Sequence, residues 1–370
     1  MTRHYGDGTV KRQPDGRWYG QVNLGTDEHG KRRRKTFRAT TENEVRKQMR
    51  AARAAYEKGE HVVTNESTRW GPWCDTYTDH LDARVATGQI ARSTAEWTVA
   101  MLAHGRRLLG ENRRLVDLRP VHVEQMTAAL AREGKAPGTI RAVHGAVRGA
   151  LALAVRDGLL VRNVAEQVPR VRSDHREAAH VTPDQFRALL AATDDSTRLP
   201  VLLMGVLGLR KGEVLALAWA DVDLDAGLLH VRHSLGRTKA DGLVRGPTKS
   251  RASRRTIALP ASVVAALRPA RGLPAAPVCP CPTTGTWWEP RGFARAFARV
   301  ATAAGHPDVH PHSLRHGAAT QAVASGVPLP AVRDMLGHSS VRVTGDTYAH
   351  VLADQRDAVS EAVAGAMLGT

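Results

Sequence analysis

Cysteine is nearly absent from this sequence, with Cys74, Cys279 and Cys281 the only three. Cys279 and Cys281 stand one proline apart, which suits neither a relaxed disulfide nor a four-ligand zinc site, so all three read as reduced thiols without a chemical role. Long apolar runs are missing too. The longest, Leu199 to Leu209, contains Pro200 and is only about half of the ~20 residues a spanning helix needs. It reads as a buried helix, which weakens any membrane role. Met1 to Gly8 has no apolar stretch of signal-peptide type, so a cytoplasmic location is expected. Phe and Ile are scarce beside Ala, Arg and Val, a coding bias that carries no functional information.

Acidic residues are the other shortage. The 36 Asp and Glu face 53 Lys and Arg, giving a formal net charge of +17 and a pI near 10.6. Such an excess calls for a polyanionic partner, nucleic acid first and an anionic membrane surface second. The 370 residues leave room for two or three domains, each with its own core.

Turn signals and short strand-like runs alternate over the first forty residues: Pro14-Asp15-Gly16, then Arg17 to Leu24, then Asp27-Glu28-His29-Gly30, then Lys31 to Arg38. This predicts a three-stranded meander. Thr41 and Glu44 form a capping box for a helix whose face carries Val45, Met49, Ala52 and Tyr56. The basic run Lys31, Arg32, Arg33, Arg34 and Lys35 falls on the last strand, where side chains project to both faces and one face can meet DNA phosphates; the plainer reading is a charged edge strand.

Residues 59–68 read as a linker. Beyond it the stretches Trp73 to Leu81, Ser93 to Leu109, Val121 to Arg132 and Thr139 to Asp157 have helical periodicity and predict a bundle of four or five helices. Arg141, Arg148 and Arg156 can share one helix face, either a DNA-facing stripe or a solvated side. A second charged linker covers residues 170–180. Thr182, Pro183 and Gln185 then open a new helix with a capping box. The remainder mixes helices with strands at Leu228 to Ser234 and Arg254 to Leu259. The expected fold is multidomain α+β: a small three-stranded sheet plus helix in residues 1–60, an all-α helical bundle in 68–172, and a mostly α domain with a small antiparallel sheet in 180–370.

The residues able to carry chemistry lie in this last segment. Arg210 follows the apolar helix in Gly208-Leu209-Arg210-Lys211-Gly212-Glu213, and Arg315 lies in His312-Ser313-Leu314-Arg315-His316. Two guanidinium groups can hold the non-bridging oxygens of one phosphate and stabilise a five-coordinate transition state without a metal. His312 and Arg315 are three apart on one helix face, with Pro311 suited to the first turn. A helix N-terminus favours a neutral imidazole, able to accept a proton. Leu336-Gly337-His338-Ser339-Ser340 reads as a helix stop followed by a histidine on a tight connection, and ten residues after His338 comes Tyr348. Against this, His312 and His316 have the i, i+4 spacing of a zinc pair, but Ser313 stands where a metalloprotease has Glu, and no third ligand is obvious.

Gly-Leu-Arg-x-Gly-Glu, His-x-Leu-Arg-His, Leu-Gly-His-Ser-Ser and Tyr-x-His, in this order, closely resemble the tyrosine recombinase (phage integrase) family. The resemblance is strong over the C-terminal segment. It is weaker over the N-terminal sheet, which looks like the arm-type DNA-binding domain of integrases, and over the helical middle, which is similar in position to the family's core-binding domain. It implies that Arg210 and Arg315 clamp the scissile phosphate, that Tyr348 attacks it, that His312 assists proton removal and that His338 bonds a phosphate oxygen. The family's leaving-group acid is a lysine on a β-turn; Lys249 in Pro247-Thr248-Lys249-Ser250 matches. Beside two arginines its pKa should fall toward neutrality, which favours it over Lys239 or Lys211. Glu213 is expected to orient a catalytic histidine or arginine. His316 and His350 are read as structural. Lys211 replaces the more frequent second arginine, away from the chemistry.

The implied activity is site-specific recombination of double-stranded DNA at attachment sites by a homotetramer. Cleavage would pass through a 3′-phosphotyrosine and a Holliday junction, with no metal or other cofactor, and a directionality factor is a candidate partner. A tail helix with Leu352, Val359, Val363 and Met367 would dock either on a neighbouring protomer or on its own domain. The rivals are a Xer-like resolvase, against which the extra N-terminal sheet counts, and a regulator that keeps the fold without the chemistry. Such a regulator would have no use for Tyr348 and Lys249 together.

Overall fold

The computed structural model describes residues 9–26, 32–57, 67–169, 171, 180–248 and 251–337. The chain divides into two compact units, Met1–Asp174 and His175–Thr370.

The first unit opens with an antiparallel sheet of β1 (Thr9–Arg12), β2 (Trp18–Thr26) and β3 (Arg32–Ala39), in that order. Gly16, at φ +81°, makes the turn between β1 and β2, a conformation L side chains rarely adopt. Helix α1 (Glu42–Glu57) starts where the Glu44 N–H donates to Thr41 Oγ1 at 3.4 Å. It lays Val45 and Met49 on Val22 and Leu24. A Cβ on Gly20 would come within 2.3 Å of Val45, so glycine is what lets the helix settle on the sheet. Tyr56 departs from the expected apolar face: it is largely exposed, with its hydroxyl beside Gly25 and outside the cluster that joins α1 to the sheet. On β3, Arg34 is exposed and the Lys35 ammonium lies 5.6 Å over the Phe37 ring. Arg32 and Arg33 belong to the same strand, while Lys31 lies outside the described residues.

The same unit contains α2 (Trp70–Ala86), α3 (Arg92–Leu109), α4 (Pro120–Arg132) and α5 (Pro137–Arg156), which share a separate apolar core. Buried indoles keep their hydrogen bonds: Trp70 donates to Gly105 O at 3.3 Å and Trp73 to Ala150 O at 2.8 Å. One face of α5 is buried; on the other Arg141, Gly145, Ala152 and Arg156 form an exposed strip, with Arg148 half-buried along it.

In the second unit, α6 (Pro183–Ala191) begins with Thr182 and Gln185 capping each other at 3.3 and 3.0 Å. The apolar run forms α7 (Asp195–Leu207), with Val201, Leu203, Met204 and Leu207 in the core. Then come α8 (Lys211–Val214), β4 (Val222–Asp223), β5 (Leu228–Val231), β6 (His233–Thr238), β7 (Gly242–Pro247), β8 (Arg255–Ala258), α9 (Ala261–Leu267), α10 (Pro290–Ala303), α11 (Pro311–Ala324) and α12 (Leu329–Leu336). Strands β4, β5 and β8 form one antiparallel sheet in that order, and β6 pairs with β7 as a separate hairpin. The single strand expected over Leu228 to Ser234 is therefore broken at Arg232, and its halves serve different sheets. Phe293 and Phe297 of α10 pack in the core with α7, β5 and α9, while α12 sets Val332 and Leu336 against Ala319 and Val323 of α11. Cys74, Cys279 and Cys281 are unpaired thiols. Among the described residues no helix is long and apolar enough to cross a membrane.

Candidate active site

Two helices of the second unit end in left-handed glycines, α7 at Gly208 (φ +63°) and α12 at Gly337 (φ +65°). A helix end leaves its last carbonyls without partners inside the helix, and its partial negative charge favours cations. Arginines supply the missing donors. Arg315, on α11, donates from Nη1 to Gly208 O at 2.6 Å and from Nη2 to Leu336 O at 2.7 Å. Arg255, on β8, donates from Nε to Met335 O at 2.6 Å. Arg210, just ahead of α8, donates from Nη2 to Gly337 O at 3.2 Å. Three successive carbonyls at the end of α12 thus accept from three different guanidinium groups, immediately before His338.

Glu213 joins two of these arginines. Its Oε1 accepts from Arg210 Nη1 at 2.7 Å, and its Oε2 from the Arg210 backbone N–H and from Arg255 Nη2, both at 3.0 Å. Burial pushes this carboxyl up, but the Arg255 charge and the hydrogen bonds from Arg255 and Arg210 outweigh it and hold it below the ordinary glutamate range. A side chain on Gly212 would meet Leu235 O at 2.9 Å, so glycine there lets β6 pass close to α8. Glu213 and Arg255 are 2% and 7% exposed in their side chains, whereas Arg210 is 37% exposed. The network therefore opens to solvent at Arg210. Arg315 is buried, with both terminal nitrogens engaged by backbone.

His312 stands in the first turn of α11, after the N-cap His310, whose Nδ1 accepts from the Ser313 N–H at 3.3 Å. Its ring meets that of His316 edge-on, centroids 4.6 Å apart. Lost hydration of its inner edge, with His316, Arg315, His310 and Arg210 around it, pushes the imidazole down to about 4. It is a neutral proton acceptor at pH 7. His316 is held below its ordinary value by burial and by Arg315, His310 and His180. No group of three His, Cys, Asp or Glu that could hold a metal occurs among the described residues.

Of the residues singled out from sequence, Arg210, Glu213, His312 and Arg315 come together here; Lys249, His338 and Tyr348 lie outside the described residues. Glu213 contacts arginines rather than a histidine. Lys211 is half-buried and its ammonium pKa is lowered by burial, against the charge of Glu289. Arg255 belongs to none of the sequence motifs. Strand alternation contains its signal: it shares a face with Ile257, which points to the core, and an arginine in an inward register needs a buried partner.

The phage integrase family's sequence pattern matches residues 179–355. A tyrosine recombinase XerC from Mycobacterium sp. (strain KMS) is 31% identical over 249 residues, 63% of this chain and 79% of that protein. An integrase from Streptomyces ambofaciens is 28% identical over 382 residues, 94% of this chain and 92% of its own. The fold is similar to that of lambda integrase, solved as a tetramer bound to a Holliday junction, with TM-score 0.59, 19% identity, and 90% and 95% of the two chains covered. With the ordered motifs and the arginine cluster around Glu213, these likenesses identify the chain as a member of the phage integrase family of tyrosine site-specific recombinases.

Proposed function

We propose that this recombinase is an integrase that breaks and rejoins duplex DNA through a 3′-phosphotyrosine at Tyr348 and acts as a tetramer on a Holliday junction. The observation that carries the reading is the cluster of Arg210, Arg255 and Arg315 around Glu213 and the end of α12. It presents the open guanidinium of Arg210 beside a neutral His312. Arg210 and Arg315 would neutralise the phosphate while His312 takes the Tyr348 proton and Lys249 protonates the leaving 5′ oxygen. His338 would bond a phosphate oxygen. The phosphotyrosine stores the bond, so rejoining draws on no external energy source. Residues 1–60 would bind arm-type sites, 68–172 the core site, and 180–370 would carry the chemistry. The exposed strip of α5 and the basic side of β3 are the proposed DNA contacts of the first two segments.

The integrase reading is preferred to a Xer-like one because the sheet β1–β3 with α1 stands ahead of the helical segment. The test uses nicked duplexes cut from DNA flanking the gene. The wild type should form a covalent protein–DNA adduct, and Tyr348→Phe should bind the same duplex without forming it. An adduct that survives in Tyr348→Phe would sink the assignment of the nucleophile.

A further inference from the structure

The ladder that carries Arg255 inward has a second, outward face. β5 and β8 pair with His230 opposite Thr256 and Val231 opposite Arg255. Val231 and Ile257 go to the core, so His230 and Thr256 face away from it, with Nδ1 and Oγ1 3.0 Å apart. On this outward side the β6–β7 hairpin bounds a cleft of about 700 Å³, lined by His230, Arg232, His233, Arg245, Arg254 and Thr256 among others.

One step past the Val231–Arg255 pair stand Arg232 and Arg254. Like charges across neighbouring strands repel unless an anion lies between them. The carboxylate in reach is Asp221, and it is already shared. Its Oδ2 accepts from Arg245 at 3.0 Å and from the Ala218 N–H at 3.2 Å; its Oδ1 accepts from Arg232 at 3.3 Å. Arg254 is exposed and has no hydrogen-bond or ion-pair partner among the described residues. The buried Nδ1 of His233, in the same cleft, also lacks one. Three guanidinium groups against one carboxylate leave the cleft positive. Arg255, which also lines the cleft, shares the single carboxylate of Glu213 with Arg210, so it does not offset this excess.

We infer that this cleft is a second phosphate site, which takes a backbone phosphate of the duplex other than the one acted on beside Arg210. The tetrahedral oxyanion supplies several acceptors to donors that converge from two strands and a hairpin, the geometry that Arg232, Arg254 and His233 require. Arg255 stands between the two sites: it donates to Glu213 on one side and lines the cleft beside Arg254 on the other. The inference rests on the DNA-binding reading above.

The test measures binding of the full chain to a short fluorescent duplex of arbitrary sequence as salt is raised. Each phosphate contact contributes about 0.9 to the slope of log affinity against log salt. Arg254→Gln should reduce the wild-type slope by about that amount. Arg299→Gln, an equal charge change on the exposed side of α10, should leave it unaltered. Equal losses in the two variants would mean bulk charge alone and overturn the site. An unchanged slope in Arg254→Gln overturns it as well. If inorganic phosphate raises the melting temperature of the wild type but not of Arg254→Gln, while the DNA slopes agree, the cleft binds free anions and the duplex assignment is wrong. Weak, salt-independent binding by the wild type itself would instead count against the DNA reading as a whole.

Discussion

Replacing Glu213 by glutamine tests the arginine cluster at its centre. The change keeps the side-chain shape and removes one charge from a position that is 2% exposed. Glutamine keeps one acceptor oxygen, but its amide N–H groups would confront a guanidinium that has lost its carboxylate partner. Removing one partner of a buried ion pair costs about 3–5 kcal/mol. For a unit of this size each kcal/mol moves the melting temperature by about 2–4 °C, so a fall of roughly 6–20 °C is expected, read by calorimetry on the full chain. The pH dependence fixes the cause. Folding lowers the Glu213 pKa, so its contribution is complete above the ordinary glutamate range and is lost as pH falls through the lowered folded value. The gap between wild type and Glu213→Gln should therefore be full at pH 7 and narrow below about pH 4. A melting temperature within about 2 °C of wild type at pH 7, or a gap that ignores pH, would refute the idea that this carboxylate holds the two arginines.

Further outcomes follow from the same geometry. The His312 ring should titrate near 4 by NMR, and its contribution to stability should fall as pH drops from the ordinary histidine range toward that value; a midpoint near 6.5 would contradict its burial and the crowding by His316 and Arg315. Arg255→Lys keeps the charge but cannot reach Met335 O, Ser253 O and Glu213 at once, so it should lower the rate of adduct formation with little effect on duplex affinity. Equal affinity and rate losses would assign Arg255 to DNA contact instead. Gly317→Ala would place a Cβ 2.5 Å from Val181 O and should cost about 1–3 kcal/mol in denaturant melts. Arg210→Ala should slow adduct formation by about 10² to 10³ while shifting the melting temperature less than Arg315→Ala, whose loss strands two buried carbonyls.

Features set by near neighbours in the chain could be read from sequence. The capping box at Thr182 and the burial of the run that becomes α7 need only local pattern, and both are present. The hairpin β6–β7 is not legible in the sequence because its own residues do little to specify it: Gly236 and Gly246 interrupt the strands, and Leu235 is the residue it buries. Contacts from elsewhere hold it, with Arg245 donating to Ala216 O at 2.8 Å and lying 4.9 Å over the Trp287 ring. Arg210, Glu213, His312 and Arg315 were legible as motifs. Their partners were not, because a motif names the donors while the acceptors are main-chain carbonyls; Arg315 and Gly208 lie 107 positions apart.

Stability alone does not account for so many charges in one interior. Buried ion pairs are commonly no better than apolar packing of the same volume, so a cluster kept only for stability could be exchanged for leucines. The donor count points to another reason. A guanidinium has five N–H donors. Arg210 uses one on Glu213 Oε1 and one on Gly337 O, which leaves three on a side chain that is 37% exposed. Glu213 and Gly337 thus fix the orientation of Arg210 while leaving most of its fork open to an incoming phosphate. Arg255 and Arg315, held more deeply, anchor the two carbonyls that precede that contact at the end of α12. The arrangement meets a demand on catalytic arginines: rigid before the substrate arrives, with donors still unspent when it does.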